Sequence, residues 1–310
     1  MSVIDAGVEI AGAKAKAPPI GWRRWLKTDS ASGLILVSPT LLYALLLLAA
    51  PLLTVVVISF WTQDYLDFDR NLSLKNYIEA WTEPLYQLLM MRSLAISGAV
   101  TVATVLLAFP IAYYVSFYVP QQRKAMWLFL ITIPFWTSYL LRVFLWKVIL
   151  GYNGVLNSGL LGTGIIDEPL TFILYNANAV VLTLAHAWAP FAILPIFVAL
   201  EKIDRSYLEA AEDLGDGPIR RFCRVTLPLA MPGVIAATLI VFIPTVGDYV
   251  TPKLVGGTDG LMIANMIQVQ FGKANNAPLG AALAISAMFI VASIAVMIVW
   301  LNRRSMRGQS

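Results

Sequence analysis

Residues 206–233, SYLEAAEDLGDGPIRRFCRVTLPLAMPG, form a polar, charge-rich segment between two long apolar runs. Ser206 followed three positions later by Glu209 has the form of a capping box, and Gly215 is a natural C-terminal stop. The spacing therefore predicts a helix of about two turns over 206–215. On that helix Ala210, Ala211 and Leu214 make a small flat apolar strip, while Glu209, Glu212 and Asp213 face elsewhere. Small side chains let a partner's backbone come close. Beyond the glycine, Arg220, Arg221 and Arg224 precede Leu227-Pro228, Pro232-Gly233 and the next apolar run. Cations just outside a span mark the cytoplasmic side.

The rest of the chain explains why a polar loop stands out. Of 310 residues, 59% are hydrophobic and 13% charged, too apolar for a soluble domain of this length. The expected class is all-α, a polytopic membrane protein. A single cysteine, Cys223, excludes an intrachain disulfide, and its arginine neighbours fit a reducing compartment. A single histidine, His186, excludes zinc sites needing two His ligands and the HExxH proteases. No GxxxxGK[ST] loop is present to cradle a nucleotide, so any ATP drive must come from another chain.

Six apolar runs approach the length of about 20 residues that a helix needs to cross a bilayer. They cover 33–61, 88–119, 126–150, 179–200, 229–250 and 279–301. Residues 1–32 read as a cytoplasmic tail, with Gly21–Lys27 as a possible interfacial helix and no signal-peptide pattern. Residues 33–87 hold the first span and first outer loop, where Trp61, Tyr65, Tyr77, Trp81 and Tyr86 form an aromatic collar. Residues 88–301 hold the remaining spans, with the polar loop at 201–233, and 302–310 form a C-terminal tail.

The net charge of +4 belongs to this topology and not to nucleic acid. Fifteen cations fall in one set of loops and tails: Lys14, Lys16, Arg23, Arg24, Lys27, Arg123, Lys124, Lys202, Arg205, Arg220, Arg221, Arg224, Arg303, Arg304 and Arg307. The alternate loops carry five, Arg70, Lys75, Arg92, Lys253 and Lys273. This asymmetry predicts that both termini and the 201–233 loop are cytoplasmic.

Several residues inside the runs are costly in hydrocarbon. Pro39, Pro51, Pro110, Pro134, Pro190, Pro195, Pro232 and Pro244 free backbone carbonyls that must find partners, and the fourth and fifth spans are expected to line a cavity. Arg142 and Lys147 lie in the third run and Asp248 near the outer end of the fifth, so an Arg142–Asp248 ion pair is expected. Asp248, Tyr249, Trp188, Tyr139, Trp136 and Arg142 are the candidate lining of a solute pathway. Ring faces there would attract a small cation.

Glu209-Ala210-Ala211, Gly215, Phe222, Val225, Leu227-Pro228 and Pro232-Gly233 resemble the EAA motif of bacterial ABC importer permeases, with Asp216 where that family often has Ala. Ser138-Tyr139-Leu140-Leu141-Arg142 through Asn157, and Gly247-Asp248-Tyr249-Val250-Thr251-Pro252 to Gly256-Gly257, are similar to the first permease of the spermidine/putrescine branch. The resemblance covers about 88–301. It implies a MetI-like permease fold of six transmembrane helices in the bacterial inner membrane, moving solute by alternating access. Ser206, Glu209, Ala210, Ala211, Asp213, Leu214 and Gly215 would be the coupling helix seated in a cytoplasmic ABC ATPase dimer. The implied partners are that dimer, a second permease forming a heterodimer, a periplasmic substrate-binding protein and the lipid membrane. No cofactor is expected on this chain; ATP and Mg²⁺ belong to the ATPase.

Three other classes are open on sequence alone. One is the same importer type for iron(III), an opine or another organic ion, since permeases for such solutes share portions of both stretches. Another is an ion-coupled carrier, which would need more intramembrane carboxylates than Asp248. The third is a membrane-embedded hydrolase, against which stand the lone histidine and the absence of GxSxG and HExxH patterns.

Overall fold

A computed structural model describes residues 29–64 and 67–307. The predicted interfacial helix at 21–27 and Tyr65 of the aromatic collar lie outside the described residues. Two compact units are distinguished, 1–54 and 55–310. Helix α1, Asp29–Ser59, supplies the described part of the first and the opening of the second.

After α1 come a two-stranded antiparallel hairpin, β1 (Thr62–Asp64) and β2 (Asp67–Asp69), and a short helix α2 (Lys75–Thr82). The hairpin is a departure from an all-helical reading, confined to six paired residues. Gln63 fastens it to a distant loop: its amide nitrogen donates to the Asn275 carbonyl, and its amide oxygen accepts from the Ala277 N–H. Helix α3 then runs from Pro84 to Phe117, with Pro84 at its first turn, where the missing N–H costs nothing.

The third apolar run is not one rod. Helix α4 (Gln121–Thr132) passes through a 3-10 turn at Ile133–Trp136 into α5 (Tyr139–Ile149), and the two halves meet at 83°. Pro134 lies in the turn, and Thr137 and Ser138 take extended backbone, which breaks the helical hydrogen-bond ladder.

Next come α6 (Val155–Gly162), α7 (Ala177–Glu201) and α8 (Arg205–Asp213). One turn at Pro218–Arg221, α9, runs through a π turn at Phe222–Thr226 into α10 (Leu227–Val246). The chain ends with α11 (Val250–Val255), α12 (Ile263–Gly272) and α13 (Ala277–Arg307), so the predicted tail from 302 continues the last helix to 307. Among the described residues, five helices are long and apolar enough to cross a membrane, and the bent α4–α5 pair makes a sixth when taken as one span.

The centre is a bundle of α3, α7 and α10. Val100, Ala108, Ala112 and Val115 of α3 join Val180, Leu184, Ala192, Ile193 and Ile196 of α7 and Ala230, Ala237 and Val241 of α10 in one buried cluster. Within lipid the hydrophobic effect gives little preference for helix against helix, so close van der Waals approach through small residues must hold the bundle. Gly233 marks the closest approach. A Cβ added there would lie 2.5 Å from both the Ala199 Cβ and the Pro195 carbonyl oxygen.

Several polar side chains inside the bundle are satisfied locally, though the buried Ser97 and Thr183 hydroxyls make no hydrogen bond among the described residues. Thr101 and Thr104 return hydrogen bonds to the carbonyls of Ser97 and Val100, and the Ser93 hydroxyl accepts the Ile263 N–H at 2.7 Å. Each would otherwise be a costly orphan in hydrocarbon.

Candidate functional site: a slung helix and an intramembrane cavity

Helix α8 hangs between two spanning helices, with only Lys202, Ile203 and Asp204 separating it from α7. Its start differs from the predicted capping box. Asp204 is the N-cap, its carboxylate accepting the Ser206 N–H at 3.0 Å, whereas Ser206 lies inside the first turn. Asp outranks the box here because its short side chain reaches the second helical N–H. That hydrogen bond holds the Asp204 carboxyl below the usual carboxylate range.

The exit agrees with the glycine reading. Gly215 has φ of +85°, its N–H bonds the Glu212 carbonyl, and the next N–H, of Asp216, bonds that of Ala211. These two bonds make a Schellman stop, a conformation that a Cβ would strain. The apolar strip is split. Ala211 is buried, while Ala210 is exposed and Leu214 is 87% exposed. All three border an open groove with Val225, Pro228 and Leu229. Glu209 and Asp213 are also exposed.

Two features beside α8 were legible only in part. Asp216, a departure from the motif, accepts from Arg224 at 3.3 Å and lies 3.8 Å from Arg220, one helical turn on. Glu212 pairs with Arg221. Phe222 inserts edge-on between Phe109 and Tyr113, at 5.5 and 6.2 Å between ring centroids, pinning the π turn to α3. At the other root of α8, Glu201 ends α7 with a salt bridge of 2.6 Å to Lys124 and a 2.7 Å hydrogen bond from Ser116. The sequence reading missed this knot, although Lys124 and Glu201 were opposite charges in loops assigned to one side.

Further into the bundle, Phe135, Tyr139, Arg142, Ala187, Trp188, Phe191, Pro244 and Asp248 line a cavity of about 300 Å³. Four of the six predicted pathway residues, Tyr139, Arg142, Trp188 and Asp248, meet there. Tyr249 instead faces a larger apolar groove of about 840 Å³ between α10, α12 and α13. Trp136 borders neither; it is 73% exposed and packs edge-on against Phe129.

The expected Arg142–Asp248 ion pair is not formed. Asp248 is otherwise engaged: Oδ2 accepts the Tyr139 hydroxyl at 2.5 Å, and Oδ1 accepts the Val250 N–H at 2.8 Å, closing the first turn of α11. Thr251 lies 2.7 Å from the same phenolic oxygen. Because Tyr139 has one proton and gives it to Asp248, Thr251 must be the donor in that contact. Arg142 is 7% exposed, donates from Nη1 to the Ala187 carbonyl at 3.4 Å, and sits 6.0 Å from the Phe135 ring centroid. Its Nε and the Trp188 Nε1 make no hydrogen bond among the described residues. His186 accepts from Trp146 at 3.1 Å, outside this cavity. The cavity thus offers aromatic walls, a carboxylate already engaged by Tyr139 and by the first N–H groups of α11, and one buried guanidinium.

Known proteins resemble this chain throughout that architecture. Residues 101–307 match the family model for the binding-protein-dependent transport system inner membrane component. The spermidine/putrescine transport system permease protein PotB of Haemophilus influenzae is 39% identical over 78% of this chain and 84% of its own length. PotB of Escherichia coli is 36% identical over 81% of this chain and 90% of its own. Among solved structures, a bacterial ABC transporter that imports alginate shares the fold, with a TM-score of 0.68 and 16% identity over 91% of this chain and 99% of the matched one. The MetNI methionine transporter aligns with a TM-score of 0.51 at 18% identity over 74% and 99%. By the family match and by these identities, this polytopic chain belongs to the family of binding-protein-dependent transport system inner membrane components.

Proposed function

We propose that this chain is a permease subunit of an ATP-driven ABC importer for polyamines such as spermidine and putrescine, working by alternating access. The observation that carries the reading is α8, a short helix capped at both ends and left exposed between two spanning helices of a family member. In this reading α8 docks on a cytoplasmic ABC ATPase dimer through Ser206, Glu209, Ala210, Asp213 and Leu214, with Ala211 and Gly215 setting its shape. A second permease completes the pathway, a periplasmic binding protein delivers the solute, and both termini lie in the cytoplasm, an orientation the cation asymmetry supports. ATP and Mg²⁺ are held by the ATPase.

The polyamine assignment rests on the PotB relatives. Tyr139, Trp188 and Asp248 suit an amine, since ring faces attract cations by about 0.5–2 kcal/mol each. Arg142 favours a second reading, a small organic ion that also carries an acceptor group, because a buried guanidinium repels a bare cation. Reconstitution of the importer decides between them. ATP-dependent putrescine uptake that fails without the ATPase supports the first reading. Uptake of an amino-carboxylate in its place supports the second, and uptake without any ATPase overturns both.

A further inference from the structure

The two roots of α8 are built differently. Toward α10 it is tied by ion pairs at the surface: Arg221–Glu212, Arg224–Asp216 and Arg220–Asp216 each have one partner at least 65% exposed. Such pairs form and break readily in water. Toward α7 it is tied by Glu201, whose Oε1 receives both the Lys124 amine at 2.6 Å and the Ser116 hydroxyl at 2.7 Å. The Lys124 side chain is only 10% exposed and that of Glu201 28%, so loss of Glu201 as a partner would leave a buried ammonium poorly compensated.

The knot joins three helices: Ser116 near the end of α3, Lys124 in the first turn of α4, and Glu201 at the last position of α7. From Glu201 the chain has no slack before α8. Lys202 and Ile203 each bond back to α7 through their N–H groups, Ile203 is buried in the central cluster, and Asp204 is already the cap. A displacement of α8 is therefore delivered to α3, α4 and α7 together, at the point where the bent span begins.

We infer that Lys124 and Glu201 are positioning residues that make the root of α8 rigid, so that motion of this helix moves α3, α4 and α7 as one body. The inference rests on the reading of α8 as the helix that docks on an ATPase. With the pair neutralised, α8 still folds, because Asp204 and Gly215 cap it independently of the knot. Its motion would then pass to α7 through 202–204 without carrying α3 and α4 along, and ATP hydrolysis would proceed with little solute moved.

The test uses the complete importer in proteoliposomes, with putrescine as solute and solute accumulated per ATP hydrolysed as the readout. Lys124→Gln and Glu201→Gln are expected to lower that ratio several-fold while ATPase subunits still copurify. Lys124→Glu combined with Glu201→Lys is expected to recover it. A purely structural role would lower assembled complex and leave the ratio intact, and that result overturns the inference.

A second readout needs no solute. In a Cys223→Ser background, spin labels at Tyr118→Cys, at the end of α3, and Arg205→Cys, at the start of α8, are expected to show one narrow distance. Lys124→Gln is expected to broaden it. An unchanged distribution overturns the inference even where uptake occurs, and a wild-type complex that never takes up putrescine while the labels broaden faults the solute assignment alone.

Discussion

The hydroxyl of Tyr139 donates to Asp248 Oδ2 at 2.5 Å while Oδ1 of the same carboxylate closes the first turn of α11. One side chain thereby joins the second half of the broken third span to the segment following α10. Removing the phenol should cost about 1.5–3 kcal/mol, the usual range for a hydrogen bond to a charged group. Tyr139→Phe is thus expected to lower the thermal midpoint of the detergent-solubilised chain. Asp248→Asn should be milder than Asp248→Ala by about 1 kcal/mol, because an amide oxygen can still accept from the Val250 N–H. Equal losses for Asn and Ala would show that Asp248 closes no turn.

The same geometry predicts the outcome of a charge exchange. Since Arg142 and Asp248 line one cavity without pairing, Arg142→Asp combined with Asp248→Arg should not rescue uptake lost in either single variant. A guanidinium at 248 can neither accept the Tyr139 proton nor cap α11. Rescue to wild-type uptake would mean that the two charges are partners in the working cycle.

At Gly233 the constraint is steric. A methyl group there meets Ala199 Cβ and the Pro195 carbonyl at 2.5 Å, and both belong to a helix that cannot move without disturbing the central bundle. Gly233→Ala should cost about 1–3 kcal/mol by overpacking. Gly98 has nothing within 4 Å of a built Cβ, so Gly98→Ala serves as the control and should leave the melting temperature near that of wild type.

Gly215 is constrained by its backbone. At φ of +85° an alanine adds about 1–2 kcal/mol of strain, which the last turn of α8 can relieve by unwinding. Gly215→Ala should therefore reduce ATPase copurification without changing the membrane abundance of the chain. Undiminished copurification would remove α8 from the docking surface.

The spans and the slung helix were legible in the sequence because each depends on local chemistry. Twenty apolar residues suffice for a span, and a glycine after a two-turn pattern suffices for a stop. The bend at 133–138 was signalled by Pro134, but a proline alone does not separate a shallow kink from an 83° break. What stayed hidden are relationships between distant residues. Arg142 and Asp248 looked like partners because opposite charges in lipid usually are, yet Tyr139 and the start of α11 had already taken the carboxylate. Lys124 looked like a surface charge because nothing in its sequence neighbours tells of its burial beside Glu201.

The cap of α8 makes a prediction about pH. Asp204 accepts the Ser206 N–H, and this favours the ionised carboxylate, so its pKa in the folded chain lies below that in the unfolded one. A carboxyl shifted in that direction contributes its full stabilisation above the unfolded value, about 3.9, and loses it as the pH falls through the lower folded value. Between pH 5 and 8 the cap should not titrate. Amide exchange at Ser206 and Tyr207 of the full chain should follow the intrinsic pH dependence of exchange, with no added inflection. Asp204→Ala should exchange faster at those amides across the whole range, and Asp204→Asn should stay close to wild type, since Asn caps nearly as well. On acidification below the carboxylate range the wild type should converge on the Ala variant. A wild type that already matches it at neutral pH would show that another group starts this helix.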